Sequence, residues 1–193
     1  AELVKLFCNA WRYIQFAASN QFYMICQNFN VDFNRVRNLM TDGYGRASQM
    51  PGAGFAAGPC LLKDTMQLAA FDNNHFNLGY AAMMVNEGLP NFIVEGLRRK
   101  YVLNLSKVGI LGMAFKAEVD DIRDSLSYKL GKILRFHGAD VAAREGFPRC
   151  GGPARIGDRD EAARIARGEK RGRGRTHHLP QALARLEAPV LPA

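Results

Sequence analysis

Apolar residues recur at three- and four-residue steps through the start of the chain. Leu3, Phe7, Ala10, Ile14 and Ala17 fall on one stripe, the period of an amphipathic helix. The pattern predicts one long helix from Ala1 to about Gln27. Lys5, Asn9 and Arg12 share a second face. A Lys and an Asn four apart point the same way and can reach one ligand, although a solvated face is the ordinary meaning of such a pair. A short helix is predicted over Asp32–Met40, with Asp32 as its N-cap. The loop that follows, Asp42-Gly43-Tyr44-Gly45-Arg46, is turn-rich. An arginine on such a loop suits a phosphate or a carboxylate, or is simply exposed. Asp64–Phe71 reads as a further helix, with a break at Asp72–His75. Leu78–Tyr101 is apolar at helical spacing (Ala82, Val85, Leu89, Ile93, Leu97), with a kink expected at Pro90.

The pattern then changes period. Lys107–Gly112, KVGILG, is a short apolar run ending in glycine and reads as a buried, parallel-type strand. A helix capped by Asp124 or Ser125 should run to Phe136 and stop at Gly138. Ala139-Asp140-Val141 begins the next strand. Strand, loop, helix, strand is a βαβ unit, and α/β sheets bind ligands in the loop after such a first strand. The expected class is α/β overall. A helical central domain over residues 1–103 precedes a truncated Rossmann-like βαβ unit over 104–141. An irregular basic tail occupies 142–193, with short helices expected at Asp160–Arg167 and Gln181–Glu187.

Between the helices lies the stretch Pro51 to Asp64, PGAGFAAGPCLLKD. Glycines let a backbone approach a ligand closely, and its two prolines keep it out of helix and sheet. It delivers Cys60 to the beginning of a helix. A helix N-terminus and a nearby ammonium favour a thiolate. Lys63 and Asp64 follow one turn later. That is how a nucleophilic cysteine with an acid or base beside it would be built. The bland alternative is a buried cysteine after an ordinary turn.

Composition adds limits. The chain has 193 residues and a net charge of +8, but residues 142–193 carry +5 of it, so the basic character belongs mostly to the tail. Phe147 is the tail's only aromatic residue, and EKRGRGR (Glu169–Arg175) has none interleaved. A solvated segment is the better reading there than a nucleic-acid site. No apolar run is long enough to span a bilayer. The four cysteines, Cys8, Cys26, Cys60 and Cys150, have neither metal-ligand nor disulfide-framework spacing. Reduced thiols in a cytoplasm are expected. The start at Ala1 and the abrupt shift of composition at Val141 predict a fragment, cut on its N-terminal side and read in an altered frame near its end.

Three separated motifs, in order over Ala1–Val141, resemble the UDP-glucose/GDP-mannose dehydrogenase family. AELVKL through Asn9 looks like the start of the family's central helix, Pro51–Asp64 like its catalytic loop, and GILGMAFKAEVDDIRDS (Gly109–Ser125) like the opening of its nucleotide-sugar domain. The resemblance implies oxidation of C6 of a UDP-sugar to a carboxylate, with NAD taking two hydrides. UDP-glucose is the leading substrate and UDP-N-acetylmannosamine the alternative. It implies that Cys60 is the nucleophile, through a thiohemiacetal and a thioester. Lys5 and Asn9 would stabilise developing negative charge, and Asp64 would position or activate water. Arg46, Lys63, Lys116 and Arg123 would bind substrate. It implies a homo-oligomer, a dimer through the central helix; a purely non-catalytic dimerisation module is the competing reading. Two departures stand out. The loop reads GFAAGPC where the family has Gly-Phe-Gly-Gly-x-Cys, and no Gly-x-Gly-x-x-Gly occurs, so the main NAD site lies outside the chain. The isolated chain is therefore expected to be inactive.

Overall fold

Helix α1 spans Glu2–Asn28, as its periodicity requires. The structure is a computed structural model and describes residues 2–115, 121–144 and 183–187. The buried face of α1 is Ala10, Tyr13, Ala17, Ser19, Asn20, Tyr23 and Cys26. Helices α3 and α4 both pack on α1, and near its end Tyr23 meets Phe33 of α2 and Phe92 of α4. Leu3 and Phe7, expected in the apolar stripe, are exposed. Helix α2 (Phe33–Thr41) is capped by Asp32, whose carboxylate accepts from the amides of Asn34 and Arg35. This satisfies two of the free donors at a helix start.

Helix α3 spans Leu61–Phe71, with Cys60 at the N-cap. It starts three residues before the expected Asp64. Leu61 is buried with Tyr13 and Ala56, and that contact extends the helix back to the cysteine. Helix α4 (Asn77–Arg98) runs through Pro90 without ending. A 3-10 turn at Leu103–Leu105 leads into strand β1 (Lys107–Leu111). Helix α5 (Leu126–Phe136) is capped by the Ser125 hydroxyl. It stops before Gly138, where φ is +85° and an added Cβ would meet Asn104 at 2.9 Å.

Strand β2 (Asp140–Arg144) pairs in parallel with β1, Lys107 opposite Asp140. The expected βαβ unit is present. The tail departs from expectation in one place. Leu183–Glu187 is a strand, β3, antiparallel to β1, and the sheet order is β2-β1-β3. A short helix was expected there. The unpaired N–H and C=O groups on the free edge of β1 give that segment a partner, and pairing overrides local propensity. Asp160–Arg167 and the rest of the tail lie outside the described residues.

One apolar core joins the helices to the sheet. Tyr23, Phe33, Phe55, Leu89 and Val94 pack in one cluster with Val108, Ile110, Met113, Leu130 and Leu134. A smaller cluster of Tyr13, Ala17, Ala56, Leu61 and Ala82 joins α1, the loop before Cys60, α3 and α4. Leu130 of α5 is 2% exposed, so truncating it should leave a cavity. Leu130→Ala is expected to lower unfolding free energy by about 2–5 kcal/mol in urea denaturation; a loss near zero would mean that α5 does not share this core.

Candidate functional site

Cys60 and Asp64 are four residues apart on α3, and the Asp64 amide donates to the Cys60 carbonyl at 2.8 Å. Both therefore sit on the first turn and the same face. The Cys60 side chain is exposed, whereas Asp64 is only 1% exposed. A buried carboxylate needs charged or hydrogen-bonding partners. Two come from α1. Asn9 Nδ2 donates to Asp64 Oδ2 at 2.6 Å, and Lys5 Nζ lies 3.0 Å from the same oxygen. Lys63 Nζ, on an exposed side chain, lies 3.9 Å from Oδ1, a looser contact than that of Lys5. The four residues expected to be catalytic, Cys60, Lys5, Asn9 and Asp64, are thus gathered at one place. Arg12 does not join them; its guanidinium sits 6.0 Å from the Phe16 ring centre.

Burial pushes the Asp64 pKa up, but the Asn9 hydrogen bond, the Lys5 hydrogen bond and the charges of Lys5 and Lys63 prevail and hold it below the ordinary carboxylate value. The Lys5 pKa is raised, first by its hydrogen bond to Asp64 and then by the Asp64 charge, with a further contribution from Cys60. The cluster is therefore an ionised carboxylate under a protonated amine, next to a thiol.

The loop from Pro51 to Pro59 is held by side chains that the sequence reading passed over. Ser19 donates to the Pro51 carbonyl at 2.8 Å, and Arg37 donates to the Met50 carbonyl through Nε and Nη2 at 3.0 and 2.7 Å. Asn20 accepts from the Gly54 amide at 2.7 Å and donates to its carbonyl at 2.9 Å. Asn86 of α4 accepts from Asn20 at 2.9 Å. Asn20 and Asn86 are wholly buried within otherwise apolar helix faces. A polar residue in a buried stripe was the available signal. Farther along the loop, Gly58 has φ +110°, and an added Cβ would meet the Phe115 ring at 2.7 Å. The loop after β1 lies directly on the cysteine loop.

A cleft of about 460 Å³, lined by apolar and charged residues, opens between this loop and α5. Pro59, Lys63, Glu87, Ser125, Lys129 and Lys132 are among its lining residues. Lys129 Nζ donates to the Glu87 carbonyl at 2.7 Å and lies 3.2 Å from the Glu87 carboxylate, tying α5 to α4 at the cleft wall. Lys63 is thus at the cleft. Arg123 is paired with Asp121, Nη2 to Oδ2 at 2.6 Å; its side-chain and backbone hydrogen bonds hold Asp121 down to about 2. Arg46 is exposed on the loop after α2, and among the described residues it neither pairs with Asp64 nor lines the cleft. Lys116 lies outside the described residues. A second, apolar groove of about 430 Å³ is lined by Leu3, Phe7, Trp11, Ile14, Phe71 and Phe76, among others, and by no member of the Cys60 cluster.

Comparison with known proteins places the chain beside nucleotide-sugar dehydrogenases. Residues 1–88 match the model of the UDP-glucose/GDP-mannose dehydrogenase family, central domain. A UDP-glucose 6-dehydrogenase from Haloferax volcanii is 33% identical over 161 residues, covering 77% of this chain and 37% of that protein. The structure of a UDP-D-ManNAc dehydrogenase from Pyrococcus horikoshii superposes with a TM-score of 0.66 at 26% identity, over 75% of this chain and 35% of that one. That of a UDP-glucose dehydrogenase from the archaeon Pyrobaculum islandicum gives 0.66 at 27% identity, over 86% and 37%. The chain spans little more than a third of the length of these relatives.

The paired ionisation predicts a pH window. A carboxylate whose folded pKa is depressed adds stability above its unfolded value and loses it as pH falls through the folded value. A lysine whose folded pKa is raised adds stability below its unfolded value and loses it as pH rises through the folded value. The pair should therefore be fully stabilising between the ordinary Asp and Lys ranges and weaken on both sides. Denaturation across pH should show a shallower acid limb in Asp64→Asn than in the parent chain; identical limbs would refute the coupling.

Proposed function

Through the central domain that residues 1–88 match, the chain belongs to the UDP-glucose/GDP-mannose dehydrogenase family, and we propose that its site carries the nucleophilic part of a nucleotide-sugar 6-dehydrogenase. The observation that carries this is the convergence of Lys5 and Asn9 on buried Asp64, one turn from exposed Cys60. The substrate is a UDP-sugar bound in the cleft beside Lys63, with UDP-glucose as the first choice. NAD is the expected hydride acceptor and supplies the two-electron sink. The chain's residues do not fit it. No Gly-x-Gly-x-x-Gly occurs, and the turn after β1 carries buried Met113 where a dinucleotide would need open backbone.

The chain's own residues act on the sugar carbon. The Cys60 thiolate adds to the C6 aldehyde; the S–C bond forms and the carbonyl π pair moves to oxygen. Lys5 and Asn9 are donors placed to meet that oxyanion, and fixed donors aimed at developing charge are the strongest common catalytic device. Asp64 holds both donors in place and keeps Lys5 protonated. A hydride acceptor held outside these residues would take the C6 hydride and leave a thioester, which water would hydrolyse, the C–S bond breaking and its pair returning to the Cys60 sulfur. Asp64 orients that water through the donors it holds. Its lowered pKa suits this positioning better than strong proton abstraction.

A second copy of the chain is the proposed partner. Val4, Phe7 and Trp11 are 64%, 56% and 61% exposed along one side of α1, an apolar row that water does not favour. Trp11→Glu is expected to shift the chain from dimer to monomer in light scattering; a wild-type monomer would remove this part of the proposal. For the chemistry, the C6 aldehyde of UDP-glucose should slow iodoacetamide labelling of Cys60 and leave Cys8 unaffected. Equal labelling of Cys60 with and without the aldehyde would defeat the assignment.

A further inference from the structure

We propose that Asn20, oriented by Asn86, is a positioning residue for Cys60. This rests on the reading of Cys60 as the nucleophile. The loop before Cys60 has no regular structure, so side chains must fix its path. Asn20 grips the Gly54 peptide on both sides, accepting from its N–H and donating to its C=O at 2.7 and 2.9 Å. A side-chain amide has one acceptor oxygen and two N–H donors. The second donor goes to Asn86 Oδ1 at 2.9 Å, which leaves a flipped Asn20 amide facing oxygen with oxygen. Asn86 is fixed in turn, since its own Nδ2 donates to the Tyr13 carbonyl at 3.0 Å.

The chain of bonds thus runs from Tyr13 of α1 to Asn86 of α4, back to Asn20 of α1 and on to the loop. It crosses between the two apolar clusters, for Ala53 and Phe55 belong to one and Ala56 to the other. Gly54 sits between Ala53 and Phe55 of the larger cluster, just before the chain passes to Ala56 of the smaller one, and Cys60 lies six residues on. Tyr13 and Asn20 share α1 with Lys5 and Asn9. One helix therefore holds both the loop that carries the nucleophile and the donors opposite it. Displacing Gly54 moves the thiol relative to Lys5 and Asn9 while leaving those two in place.

The test is site-resolved labelling of Cys60 and Cys8 by iodoacetamide in the full chain, across pH, for the parent, Asn20→Ala and Asn86→Ala. Labelling of Cys60 is expected to change by about tenfold or more, as small misplacements at reacting groups do, with Cys8 and the far-UV helix signal unchanged. Variants that keep the helix signal and the parental Cys60 rate and pH profile would overturn the proposal. Should a variant unfold, the Gly54 amide of the parent decides: slow hydrogen exchange supports the clamp, and exchange at the rate of an open loop refutes it. A protected Gly54 amide and altered Cys60 labelling, together with no protection of Cys60 by the C6 aldehyde, would defeat the nucleophile reading and leave the clamp standing.

Discussion

The carboxylate of Asp64 is the constraint on which the site depends. It is almost completely removed from water, and an ionised group so placed is tolerated only where partners replace its hydration. Those partners, Lys5 and Asn9, stand on α1, 55 and more residues away in sequence. Helices α1 and α3 can therefore pack closely in few registers other than this one. A slip of one turn along α1 would leave only one of Lys5 and Asn9 within reach of the carboxylate. The electrostatic requirement does what shape alone would do less well, because it penalises near misses strongly. Specificity rather than net stability is what such a buried pair supplies, since its attraction must first offset desolvation.

The loop poses the opposite problem. It brings backbone N–H and C=O groups into the interior without a ladder to satisfy them. The buried amides of Asn20 and Asn86, and the Ser19 hydroxyl, take up that role. They sit within helix faces that are otherwise apolar, where each would be costly alone. Satisfied by one another and by the loop, they are a small network whose members are useful only together. The same helices thus carry an apolar face for packing and a few polar atoms for shaping a loop.

Much of this was legible in order of sequence, and the limits follow physical lines. Helix periodicity, the Asp32 and Ser125 caps and the Gly138 stop are local signals, so the βαβ unit and most helices could be read directly. Cys60, Lys5, Asn9 and Asp64 were legible as a set because three separated motifs, in order along the chain, resemble one family. What could not be read was non-local. The buried face of α1 depends on which helix covers each segment, so Leu3 and Phe7 were assigned inward and lie outward. The start of α3 depends on Leu61 meeting Tyr13. The Leu183–Glu187 strand depends on a free edge of β1 more than 70 residues away. Asn20 and Asn86 look like interruptions of an apolar stripe until the loop they hold is in view.

The division of exposure within the cluster bears on its chemistry. Cys60 stands open to solvent while the charge that organises its surroundings is sealed away. A nucleophile must reach a substrate carbon, so it belongs on the rim. A positioning charge must not wander or be screened, so it belongs below, where the effective dielectric is lower. Lys5 joins the two levels: its ammonium contacts buried Asp64, yet its side chain is 62% exposed. It is tethered from beneath by that carboxylate. In the proposed mechanism Asp64 acts at a distance from the substrate, by making one end of a flexible lysine stationary. That reduces the freedom Lys5 would otherwise lose when it meets a developing oxyanion, and preorganisation of this kind is where a fixed donor gains over a mobile one.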